Sequence, residues 1–116
     1  MDGWKIYHNP RWGSSRKALQ LLRDNSIEPQ IINYIKTPLS EEDINNISIM
    51  LGIEPGDFTR VKESDFIDNG LIKIINDREK IIKAMSKYPK IMQRPIIVHR
   101  NKAIIGRPPK NVLQLI

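Results

Sequence analysis

Apolar positions along the chain fall into short runs and helical stripes separated by proline, glycine and asparagine. Residues 4–8 (WKIYH) form an apolar and aromatic run that stops at Asn9-Pro10, where the proline cannot continue a ladder, so a strand is predicted. Past Gly13, the residues Ala18, Leu19, Leu21 and Leu22 recur at helical spacing as far as Asn25-Ser26, with Ser14 or Ser15 placed as a cap. Residues 30–35 (QIINYI), bounded by Pro29 and Thr37-Pro38, predict a second strand, parallel to the first through the helical crossover. The first third therefore reads as a βαβ unit.

Ser40 and Asp43 make a capping-box-like pattern ahead of Ile44, Ile47 and Leu51, with Gly52 placed to end the helix. A short helical piece is expected over 56–62. Asn76 with Glu79 repeats the capping pattern ahead of Ile81, Ile82 and Met85, and Pro89 closes that helix. Residues 95–100 and 102–106 are apolar runs joined by a polar turn near Asn101, which predicts an antiparallel hairpin. Pro108-Pro109 then opens a final helix carrying Val112, Leu113 and Ile116. The order βαβ, helical insertion at about 38–90, ββα is that of an α/β, thioredoxin-like (glutaredoxin-like) fold with a mixed four-stranded sheet. One domain over 1–116 is expected, with its chemistry at the turn between the first strand and the first helix.

Composition narrows the chemistry. The chain has 116 residues, 40% of them hydrophobic, enough for one modest core. Apolar runs are too short to span a bilayer and the start lacks a signal-peptide core, so no membrane partner and a cytoplasmic location are expected. The absence of cysteine excludes a disulfide framework, a zinc ribbon and a thiolate nucleophile. A net charge of +6 favours anionic partners, from small oxyanions to nucleic acid. Lys80, Lys83, Lys87 and Lys90 recur at intervals of three and four. With no aromatic or glycine-rich motif beside them they read as a solvated face, and no nucleic-acid partner is expected.

The string IYHNPRWGSSRKAL at 6–19 resembles the active-site loop of the glutaredoxin-dependent arsenate reductase family, HNPxCGxSR, with Trp12 where the family has its nucleophilic cysteine. The resemblance runs on through YIKTPLS (34–40), DFTRVKE (57–63), QRPIIV (93–98) and GRPP (106–109), essentially the whole chain. It implies reduction of arsenate to arsenite with glutathione and glutaredoxin as reductant, no bound cofactor or metal, and a monomer. By the same resemblance Arg60, Arg94 and Arg107 hold the oxyanion. His8 flanks the reacting position, and the peptide bond between Arg94 and Pro95 is cis.

Elementary chemistry qualifies that picture. Unpaired amides and a partial positive charge at a helix start make the stretch Gly13, Ser14, Ser15, Arg16 an anion cradle even without a thiol. Guanidinium groups suit tetrahedral oxyanions through paired planar donors. A serine oxygen cannot give up two electrons as a thiol does, so capping is the role expected of Ser14 and Ser15. A protonated His8 would lower the pKa of a neighbouring thiol; without one, a loop-stabilising hydrogen bond is an equal reading. His99 is expected to be an ordinary hairpin side chain.

Trp12 admits three readings: an authentic loss of catalysis, a deliberate or accidental replacement, or a UGA selenocysteine codon translated as tryptophan. An indole at this point must displace the oxyanion or stack on a nearby guanidinium, so weakened binding is expected along with lost turnover. The chain as written is thus expected not to turn over. The alternatives are a catalytically inactive protein that binds an oxyanion or a partner, and a regulator similar to the Spx-like transcription factors, which share the fold and the RPII stretch at 94–97. The HNPRWGSSR and GRPP segments point to the reductase branch.

Overall fold

In the computed structural model, which describes residues 3–116, isoleucine-rich runs form the expected four-stranded sheet. Its strands are β1 (Lys5–Tyr7), β2 (Gln30–Ile32), β3 (Ile96–His99) and β4 (Lys102–Ile105), in the order β2-β1-β3-β4. β1 pairs with β2 in parallel, and the β1–β3 and β3–β4 pairs are antiparallel. The chain divides into two compact units, one made of the segment up to Thr37 with Arg94–Ile116, the other of Pro38–Gln93.

The first unit holds the sheet. α1 (Gly13–Asp24) buries Ala18, Leu19 and Leu22, the stripe read from its spacing. These side chains cluster with Ile6, Ile97 and Val112. Ile6 and Ile97 are register partners, so α1 and the final 3₁₀ helix (Pro109–Leu115) cover the same sheet face. Gly106 follows β4 where a Cβ would lie 2.9 Å from Ile97 Cδ1 and 3.0 Å from Pro95 Cγ, so any other residue there must push those side chains aside. The Arg94-Pro95 bond is cis, as the resemblance implied, and so is Arg107-Pro108.

Three expectations for this unit need correction. The final helix is 3₁₀, and of its three expected apolar residues only Val112 is buried, with Leu113 and Ile116 exposed. The second strand ends at Ile32 and not at residue 35, because the Asn33 side chain accepts hydrogen bonds from the amides of Ile35 (3.2 Å) and Lys36 (3.3 Å) and turns the chain there. The N-cap of α1 is Trp12, so Ser14 and Ser15 lie inside the first turn and neither caps it.

The second unit is helical. α2 (Glu41–Leu51) starts as expected, with Ser40 Oγ accepting from the amide of Asp43 at 3.1 Å, and ends on Gly52 in the left-handed region. A 3₁₀ turn (Pro55–Phe58), the short α3 (Ser64–Asp68) and a second 3₁₀ turn (Leu71–Ile74) lead into α4 (Arg78–Lys87). The cap of α4 is Asp77, accepting from Lys80 N at 3.1 Å, one residue later than the Asn76 expected. The helical piece expected at 56–62 stops at Phe58, since Thr59 forms a bridge with Met92 and the amide of Arg60 donates to the Ile91 carbonyl at 2.6 Å. Arg78 ties α2 to α4: its guanidinium donates to Asn45 Oδ1 (2.7 Å), Ser48 Oγ (3.2 Å) and Glu54 Oε2 (2.8 Å). Lys80, Lys83 and Lys87 are exposed on α4, the solvated face expected of them.

Candidate oxyanion site at the start of the first helix

The loop between β1 and α1 is held by its own polar groups. Asn9, buried, accepts the Arg11 amide on Oδ1 (2.9 Å) and the Trp12 amide on its carbonyl (3.1 Å). The Arg16 guanidinium donates to the Pro10 carbonyl at 2.8 Å. The sequence marked Asn9-Pro10 only as a turn; Asn9 as the residue that shapes the loop was missed, although an asparagine before a turn proline is its usual cue.

Trp12, in extended conformation at the N-cap, offers no side-chain acceptor to the first-turn amides of α1. Its half-buried indole lies on Arg94, with the guanidinium carbon 2.9 Å from the ring centroid. That is inside the ~3.5–4.0 Å of ordinary carbon contact, so no water or oxyanion fits between them. Of the two outcomes anticipated for an indole here, stacking is the one found, and an anion approaching that face of Arg94 must displace the ring.

Two further polar groups lie by the loop without hydrogen-bond partners among the described residues: Ser15 Oγ and His8 Nδ1, on side chains almost wholly buried. Ser15 therefore satisfies none of the helix-start donors. Burial, then the charges of Arg23 and Arg16, hold the His8 imidazole below its ordinary pKa of 6.5, so its neutral form prevails at pH 7. A protonated His8 is disfavoured, and its Nδ1 makes no loop-stabilising bond.

Of the three arginines, Arg94 and Arg107 belong to the sheet unit, at the ends of β3 and β4 nearest the loop, and Arg60 belongs to the helical unit. Arg94 is 6% exposed; Arg107 is exposed and has no ion pair among the described residues. Arg60 has an Nη2 3.8 Å from Glu63 Oε2. Gly13 and Ser14 lie half-buried in the first turn beside Trp12. Far from the loop, His99 stacks on Trp4 with centroids 3.9 Å apart, a more specific contact than the plain hairpin role expected. No cluster of His, Asp and Glu suited to a metal occurs among the described residues, and no described helix is long and apolar enough to cross a membrane.

Residues 7–115 match the profile of the ArsC family. The chain is 39% identical to the uncharacterised protein YfgD of Escherichia coli strain K12 over 113 residues, 97% of this chain and 95% of that one. An arsenate reductase of Neisseria meningitidis is 33% identical over 109 residues, 93% of each chain. The structure of an arsenate reductase from Vibrio cholerae superposes with a TM-score of 0.94 at 35% identity, covering 98% of both chains.

Proposed function

The chain belongs to the ArsC family, and from that premise we propose that it is an oxyanion-binding member that, with tryptophan at position 12, does not reduce arsenate. Its anion is arsenate or a similar tetrahedral oxyanion, received by the first turn of α1 together with Arg107 and, once the indole is displaced, Arg94.

The observation that carries this reading is the Trp12–Arg94 stack at the start of α1. Reducing arsenate to arsenite takes two electrons. A thiolate provides a route by displacing a hydroxyl from arsenic as water; a second thiol then attacks the sulfur, forming a disulfide, and arsenic leaves with the S–As electron pair as arsenite. An indole forms no such bond and carries no labile electron pair for it. The neutral, buried His8 and the buried Ser15 hydroxyl offer no substitute nucleophile of that kind. What the loop retains is its donors, and these support binding.

Trp12→Cys, assayed for arsenite formation with glutathione and glutaredoxin, tests the proposal. Turnover is expected in the variant and absent from the parent chain. Steady turnover by the parent refutes the claim of inactivity, and isothermal titration of the parent with arsenate, phosphate and sulfate that gives no heat with any of them refutes the claim of binding.

A further inference from the structure

The basic character of the chain is confined to one unit. Residues 1–37 and 94–116 hold eleven of the nineteen Lys and Arg and three of the thirteen Asp and Glu, a formal +8. Residues 38–93 hold the other eight and ten, a formal −2, which together give the chain its +6.

Within the sheet unit the strand register sorts charge a second time. Tyr7, Ile32, Ile96 and Ile105 form one row across the four strands. The loop after β1, the turn after β2, Arg94 before β3 and Arg107 after β4 therefore all leave the sheet at one end. That end and the helix starts beside it present exposed Arg11, Arg16, Lys17, Lys36, Arg107 and Lys110. None of the six has an ion-pair partner among the described residues. The described carboxylates of this unit, Asp24 and Glu28, lie at the opposite end, between α1 and the start of β2, where Glu28 already pairs with Arg23 at 3.0 Å.

Like charges left unpaired on one face repel one another and oppose folding, unless a ligand of opposite sign is bound there. The turn after β2 and the exit of β4 are separated by three strand spacings, about 14 Å. A tetrahedral oxyanion cannot touch both, whereas an extended polyanion can. The half-buried indole of Trp12, next to Arg11 in the loop after β1 and with one face on Arg94, is at this end too, and a cationic track beside an aromatic ring is the chemistry that holds single strands, phosphates on the charges and bases on the ring. An acidic peptide would satisfy the charges, but only a nucleic acid brings a planar ring with every charge. The lysines of α4 argued against nucleic acid because no aromatic accompanies them; at this end of the sheet one does.

We propose that this end of the sheet unit binds single-stranded nucleic acid, with the exposed cations tracking phosphates and Trp12 stacking on a base. The inference does not depend on oxyanion binding, since Arg11, Lys17, Lys36 and Lys110 take no part in that site.

The test is a filter-binding titration of the whole chain with a short oligothymidylate at rising salt. Binding at low salt is expected, with log K falling against log salt at a slope of about −2 to −4, from ~0.7 per phosphate contact. The triple variant Arg11→Glu, Lys36→Glu, Lys110→Glu, all exposed positions, is expected to bind more than about tenfold more weakly and to flatten the slope by about 2. Trp12→Ala is expected to cost roughly five- to a hundredfold in affinity and to leave the slope unchanged. Failure to bind the oligonucleotide at low salt overturns the proposal, as does full affinity in the triple variant or in each of its single changes. Polyglutamate binding as tightly as the oligonucleotide also overturns it, and reassigns the face to an acidic protein segment.

Discussion

The longer helices of the two units begin in opposite ways. In the helical unit, α2 and α4 each start on a short polar side chain, Ser40 or Asp77, that accepts an amide of the first turn. In the sheet unit, α1 starts on Trp12, whose side chain caps none of the first-turn amides, and the hydroxyl three residues on, Ser15 Oγ, is buried without a hydrogen-bond partner among the described residues. A capped helix has its first-turn donors spoken for and gains stability. A helix start left open keeps those donors for something outside the chain, at a cost of about 1 kcal/mol. The difference separates a unit built to fold from one that keeps a site.

That contrast can be broken at several points. The largest effect belongs to packing: Leu22→Ala, in the α1 cluster, is expected to lower the unfolding free energy by about 2–5 kcal/mol in urea denaturation, a cost set by the cavity left behind. Next come the caps. Ser40→Ala and Asp77→Ala are each expected to cost about 1 kcal/mol, and a negligible loss at either would erase the distinction drawn for the helical unit. At α1 the sign reverses. Trp12→Ser and Trp12→Ala both remove the ring, but the extended backbone at position 12 lets a serine cap the helix, so the serine variant should be the more stable by about 1 kcal/mol. Equal stabilities would show that the amides of α1 are already satisfied.

The smallest effect is a slope. Because the folded chain holds His8 below 6.5, the unfolded chain takes up the proton first as pH falls. The stability linked to His8 is complete above 6.5 and is lost as pH drops from there through the lowered folded pKa. His8→Gln should therefore flatten the decline of the unfolding free energy across that acid interval, and an unchanged decline would assign it to other groups.

The order of the elements, α1, α2, the hairpin and the mixed pairing were legible because apolar spacing and proline or glycine stops act over a few residues. The loop motif was legible at every position but the reacting one. What could not be read depended on competition between neighbours. Ser14 and Ser15 looked like caps, yet the helix begins at Gly13 and places both inside it. Residues 33–35 carry strand-forming side chains, but the Asn33 carboxamide captures two amides and turns the chain. Asn76 with Glu79 fits the capping pattern and Asp77 with Lys80 does not, yet it is the Asp77 carboxylate that accepts the Lys80 amide. The gathering of unpaired cations at one end of the sheet was hidden for a different reason: it arises from strand register, which brings Lys36 and Arg107 to the same end although they are remote in sequence.

The two tryptophans flank β1, with Trp4 stacked on His99 before the strand and Trp12 stacked on Arg94 after it. Each ring contacts a different partner, so the chain carries an optical probe at either end of its central strands. With Trp4→Phe the emission reports the loop alone, and with Trp12→Phe it reports the hairpin alone. Unfolding followed through the two variants would time the opening of one end of the sheet against the other without any added label.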